Sequence, residues 1–199
     1  MADRTISKKN AWVVAITGLM LAATALMSFT PLGTIVLPIA AITIAFLPAI
    51  ITVMTAGLFP GLIVATFAGI FSLIRAFIVF TPLAPFLQNP LVSVMPRMLI
   101  VITAFLVFRA LINTKLPKIV SIGISAAVGS ITNTIGVLGM IWLLYGAPML
   151  EVAQELGHVS VWAMIATVIV TNSLLEILGN TLIATAVVMA LRKAKFSKF

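Results

Sequence analysis

The chain has 199 residues, 62% of them hydrophobic and only 8% charged, with a mean hydropathy of +1.29. So little charge excludes a water-soluble globular domain, which needs a polar surface. The net charge of +8 does not indicate nucleic acid, because the basic residues sit at the ends of apolar runs, where membrane orientation places them beside anionic headgroups. The absence of cysteine excludes disulfides and thiolate-held metals.

Apolar runs and their Pro, Gly and polar breaks predict six spans, at about 11–29, 39–57, 60–80, 92–112, 118–145 and 161–191. The whole of 1–199 reads as a single all-α integral-membrane domain with six transmembrane helices. Arg4, Lys8 and Lys9 precede the first span, and Ala23-Thr24-Ala25 looks like a signal-cleavage site. The run from Ala11 to Phe29 exceeds the roughly 7–15 residues of a signal core and is long enough to cross a bilayer, so a retained helix is expected. Ala11, Ala15, Gly18 and Ala22 recur along it at helical spacing, and small residues let another helix approach closely.

The break from Thr30 to Pro38 is apolar for a loop and is expected to fold back against the membrane or over a cavity. Gly57-Leu58-Phe59-Pro60-Gly61 reads as a tight turn with proline opening the next helix. Thr81 to Pro90 carries three prolines and reads as an extended connection. With the N-terminus in the cytoplasm, the inner segments hold Arg4, Lys8, Lys9, then Arg109, Lys115, Lys118, and last Arg192, Lys193, Lys195 and Lys198. The outer loops hold no Lys or Arg, while Glu151, Glu155 and His158 lie outside. Both termini are therefore expected to be cytoplasmic.

Two arginines remain inside spans, Arg75 and Arg97. A charge within lipid costs roughly 2.5–3.5 kcal/mol on insertion scales and marks function by default. Arg97 sits at the start of the fourth span, Asn133 lies in the fifth, and Asn172, Glu176 and Asn180 share one stripe of the sixth at i, i+4, i+8. Together they suggest a pocket that is cationic near its outer mouth and amide-lined below, suited to a small solute with a carboxylate and hydroxyl or amide groups. Arg97 can instead pair with Glu176, against a depth difference of roughly 14 Å along the helices. Arg75 can snorkel, Asn133 can serve as interhelical glue, and Glu176 can make a structural hydrogen bond. Trp142, Tyr145 and Trp162 fit an aromatic belt, and His158 is a lone loop histidine.

An enzyme is disfavoured, because one loop histidine and one intramembrane acid supply neither a metal cluster nor a carboxylate dyad. The chain has no phosphate-binding GxxxxGK[ST] loop, so energy for uptake has to come from elsewhere. No internal repeat of the kind found in inverted-repeat transporters is visible.

Ala11-Trp12-Val13-Val14-Ala15, Phe59-Pro60-Gly61, the stretch from Asn89-Pro90 to Pro96-Arg97, and Asn172 to Asn180, set in six spans, resemble the S component of energy-coupling factor (ECF) vitamin transporters. The S component is the substrate-binding membrane subunit, and the pantothenate type is the most similar. The resemblance implies a protein of the bacterial plasma membrane that binds one vitamin from outside, with Arg97, Asn133, Asn172, Arg75 and Glu176 as candidate contacts. It implies docking on a transmembrane coupling subunit through Ala11 and Ala15. It also implies toppling driven by two cytoplasmic ATPases, which use the ATP, so this chain itself needs no cofactor. The loop with Pro31, Gly33 and Pro38 is then a gate. Riboflavin and hydroxymethylpyrimidine are alternative vitamins, and a non-catalytic membrane assembly subunit is the alternative outside transport.

Overall fold

The computed structural model describes residues 2–31, 33–36 and 41–194. In chain order these form α1 (Ala2–Phe29), strands β1 (Thr34–Val36) and β2 (Ala41–Thr43), α2 (Leu47–Thr55), α3 (Leu58–Ala76), α4 (Ala84–Leu87), α5 (Pro90–Leu111) and α6 (Lys118–Glu155). The last helix runs through α7 (Val161–Val168), a π turn (Ile169–Ser173) and α8 (Leu174–Lys193). Among the described residues, five helices are long and apolar enough to cross a membrane: Asn10–Phe29, Leu58–Ala76, Pro90–Leu111, Lys118–Glu155 and Val161–Lys193. Large apolar side chains face outward along them, as with Val14, Leu143 and Leu182 at 72%, 73% and 70% exposure. Such a surface belongs in lipid, and this is a membrane protein.

The predicted second span, 39–57, is where the structure departs most from expectation. Instead of a full crossing helix it contains β2 and the nine-residue α2. At 1.5 Å per residue α2 is only about 14 Å long, roughly half a bilayer core. Pro48 sets its first turn, and all of its residues from Leu47 to Thr55 are buried. An apolar run buried on every side by protein looks the same in sequence as one buried by lipid. Just before it, β1 pairs antiparallel with β2, Thr34 opposite Thr43 and Val36 opposite Ala41. The fold class is thus helical with one small ribbon.

Gly57, at φ 107°, lets the chain reverse from α2 into α3, a backbone conformation that side chains resist. A Cβ on Gly69 would lie 2.6 Å from the Cα of Val94, so this glycine lets α3 lie directly on α5. The segment Thr81–Pro90 is not wholly extended, since it winds the single turn α4. Asn89 then caps α5, its Oδ1 accepting from Leu91 N at 2.9 Å, with Pro90 at the first helical position. The predicted fifth span ends at Tyr145, where α6 breaks to φ −135°, ψ 40° before continuing to Glu155. Pro148, three residues on, cannot donate to the preceding turn.

Two apolar clusters result. One is centred on α2 and includes Ile50, Val53, Met54, Ile100 and Phe108. The other joins α4 to the far ends of α6 and α7 through Phe86, Ile141, Met149 and Met164.

Candidate functional site

Between these clusters lies a cavity of about 140 Å³. A single water needs roughly 10–15 Å³ of such space, so the void is sized for a small organic molecule. Arg75, Arg97, Asn133, Asn172 and Glu176 all line it, brought together from α3, α5, α6, the π turn and α8.

Arg97 is only 7% exposed. Its Nη2 donates to Ser72 Oγ on α3 at 3.1 Å, while its Nη1 is buried with no hydrogen-bond partner among the described residues. Asn133 Nδ2 donates to Glu176 Oε1 at 2.9 Å, leaving Asn133 Oδ1 buried and unpartnered. Asn172 Oδ1 accepts from the Thr171 hydroxyl at 2.9 Å, and its Nδ2 is again unpartnered. A buried polar atom without a partner loses about 1–3 kcal/mol, so proteins rarely keep one without reason. Here a cationic donor, a neutral acceptor and a neutral donor of that kind belong to three residues that line the same void.

Arg97 and Glu176 lie within electrostatic reach of each other. Among the described residues, however, no ion pair closes between them; Ser72 holds the guanidinium and Asn133 the carboxylate. Arg75 extends along the cavity wall and its Nη1 donates to the Ser28 carbonyl at 3.0 Å. That carbonyl belongs to the last turn of α1, where unsatisfied C=O groups favour a cation.

The other anticipated residues fall elsewhere. Ala11 and Ala15 are exposed, together with Gly18 and Ala22, so among the described residues no element covers that face of α1. Pro31 is exposed in the turn after α1, and Gly33 is buried so close to Met27 that a Cβ would lie 2.2 Å from its carbonyl oxygen. Pro38 lies outside the described residues. Trp142 and Trp162 are exposed, with ring centroids 5.6 Å apart. Tyr145 is not simply a belt residue: its hydroxyl accepts from Asn89 Nδ2 at 2.9 Å and its ring lies 5.3 Å from Phe86.

A family model described as the ECF transporter substrate-specific component matches residues 13–188. The chain belongs to that family. This S component is also 29% identical to the pantothenic acid transporter PanT of Lactococcus lactis subsp. cremoris (strain MG1363), over 77% of its own length and 79% of the relative's. Membership makes it the vitamin-binding subunit of a transporter rather than an enzyme.

Several lining groups of this S component escaped sequence reasoning: Ser28, Thr43, Ser72, Thr134 and Ser173. Ser72 is one helical turn before Arg75, and Thr134 and Ser173 adjoin Asn133 and Asn172, so proximity to the anticipated residues was the available signal. Thr134 donates to Ser173 Oγ at 3.0 Å, tying α6 to the π turn beside the cavity.

Proposed function

We propose that this S component binds pantothenate, with its carboxylate on Arg97 and its hydroxyl and amide groups on Asn133, Asn172 and the Glu176 edge. The observation carrying this reading is the set of three buried, unpartnered atoms on one cavity: Arg97 Nη1, Asn133 Oδ1 and Asn172 Nδ2. Pantothenate is a small aliphatic acid that offers oxygen acceptors for the two N–H donors and an O–H or N–H donor for Asn133 Oδ1. Its branched carbon chain suits the aliphatic wall of Val137, Ile141 and Val168. Phe46 is the one aromatic ring among the lining residues, which favours such a solute over riboflavin. The similarity to a pantothenic acid transporter supports the same choice.

Solute enters from the outer side, past the ribbon and the turn at Pro31 and Gly33. The ribbon and α2 together make the sixth crossing, so both termini are cytoplasmic. Docking on the coupling subunit uses the uncovered face at Ala11 and Ala15, and ATP hydrolysis by two partner ATPases topples the loaded subunit inward.

Calorimetric titration of the purified protein with pantothenate, with riboflavin and hydroxymethylpyrimidine as controls, tests the choice of solute. Heat from pantothenate alone is expected; binding of either control instead would replace the vitamin. Ala15→Trp should leave that titration unchanged and abolish uptake by the assembled transporter in vesicles. Normal uptake would remove the docking face.

A further inference from the structure

The helix from Val161 to Lys193 is interrupted at the level of the cavity. Ile169–Ser173 forms a π turn in which Leu174 N donates to the Ile169 carbonyl. Before it, Val161, Met164 and Val168 are buried at α-helical spacing, packed into the cluster around Phe86 and Ile141. After it, the buried stripe is Glu176, Asn180, Ala184 and Val188.

These two stripes do not belong to one uninterrupted α-helix. At about 100° per residue, the line through Val161, Met164 and Val168 continues to Leu175, Gly179 and Leu182, and places Glu176, Asn180 and Ala184 on the order of 100° away. In the structure Leu175 and Leu182 are instead 58% and 70% exposed, while Glu176 and Asn180 are 6% and 0% exposed. The slip is visible residue by residue: Ile169, Val170 and Thr171 all face out in a row, then Asn172 and Ser173 both face in. An i to i+5 turn wraps one residue more than an α turn, and such turns recur at functional sites.

We propose that this one extra residue is the positioning device of the solute pocket. It widens the turn so that Asn172 and Ser173 are pushed together onto the cavity wall, against Thr134. It also keeps the outer apolar stripe and the inner polar stripe facing the bundle at once. The functional part rests on the solute-binding reading above. Removing the residue would leave a plain α-helix with both stripes still in phase, so the fold survives. The tightened turn would withdraw Asn172 and Ser173 by on the order of an ångström, enough to lose buried hydrogen bonds.

Deletion of Val170, whose side chain is 63% exposed, tests this, with Val170→Ala as the variant that keeps the residue count. The chain has no cysteine, so engineered thiol pairs read geometry cleanly. Thr134→Cys with Ser173→Cys replaces hydroxyls 3.0 Å apart and reports the pocket wall. Gly123→Cys with Thr185→Cys, where a Cβ on Gly123 lies 3.5 Å from Thr185 Oγ1, reports the phase of α8. In the deletion the pocket pair should oxidise at least tenfold more slowly while the α8 pair oxidises at the parental rate. Pantothenate affinity should fall at least tenfold with no loss of melting temperature, and Val170→Ala should match the parent throughout. An unchanged pocket pair overturns the proposal, as does loss of the α8 pair or failure of the deletion to fold. If the parent protein itself does not bind pantothenate, the vitamin assignment falls alone and the two thiol pairs still decide the role of the π turn.

Discussion

Two regions of this S component, the buried α2 cluster and the wall of the cavity, treat polar atoms differently. Around α2, the Thr52 and Thr55 hydroxyls return their hydrogens to the Pro48 and Ile51 carbonyls at 2.6 and 2.8 Å, and apolar side chains fill the rest. Around the cavity, Arg97, Asn133 and Asn172 each keep one buried atom with no partner. The α2 hydroxyls are satisfied within their own helix and leave nothing for a ligand. Unsatisfied groups gathered on one void hold a place for something else. Buried unpartnered atoms also occur away from the void, on Ser130, Asn180, Thr181, Thr185 and Arg192; those on Arg97, Asn133 and Asn172 differ in belonging to residues that line one cavity.

The comparison breaks most visibly if the two regions are damaged in turn. Met54→Ala in the α2 cluster removes a fully buried side chain and should cost about 2–5 kcal/mol of stability. Its melting temperature should drop in detergent, while the folded fraction titrates with pantothenate at parental affinity. Arg97→Ala should do the reverse. It takes away a buried cation that no carboxylate pairs directly, so the ligand-free protein should melt at or above the parental temperature. Pantothenate affinity should weaken about 100-fold, roughly 2.7 kcal/mol, the scale of a lost charge-assisted contact. Arg97→Lys should recover only part of this, because an ammonium cannot reach Ser72 and the solute through one planar fork. If Arg97→Ala unfolds the protein and Met54→Ala abolishes binding, the division between scaffold and site is wrong.

Charge and amides inside apolar spans were legible from the sequence. Arg75, Arg97, Asn133, Asn172 and Glu176 stand out there, and all five line one cavity. Hydroxyls were not legible, because most serve their own helix: Thr17, Thr24, Thr66 and Thr167 each bond a carbonyl four residues back. Nothing local separates those from Ser72 or Thr134. Five of the six spans correspond to long helices, and the fifth ends where α6 kinks at Tyr145. The second holds β2 and the short α2 in place of one long helix, because hydropathy does not tell burial by protein from burial by lipid. The π turn was invisible for a related reason. Asn172, Glu176 and Asn180 fit one α-helical stripe taken alone, and only their phase against Val161, Met164 and Val168 exposes the extra residue.

A smaller effect sharpens the division inside the site. Asn133 both holds Glu176 and keeps a buried Oδ1 that has no hydrogen-bond partner among the described residues. Asn133→Leu should weaken pantothenate binding about tenfold, near 1.4 kcal/mol, losing one neutral hydrogen bond to solute and the side-chain partner of Glu176. Asn133→Gln, which keeps the amide on a longer stem, should restore part of the affinity. Equal losses in both would assign the role of Asn133 to packing.

The smallest expected effect is at Ser72, whose hydroxyl touches Arg97 rather than solute. Its bond to Nη2 is a single 3.1 Å contact that holds the guanidinium fork. Ser72→Ala removes that anchor while the guanidinium and its charge remain, so pantothenate affinity should fall about three- to tenfold, or roughly 0.7–1.4 kcal/mol. A positioning role makes a further demand that simple loss of packing does not. Once Arg97 is already alanine, Ser72 has nothing to hold, and Ser72→Ala should cost no additional affinity. Titration of the two single variants and the double variant therefore decides the matter. Additive losses would mean that Ser72 meets the solute itself rather than acting through Arg97.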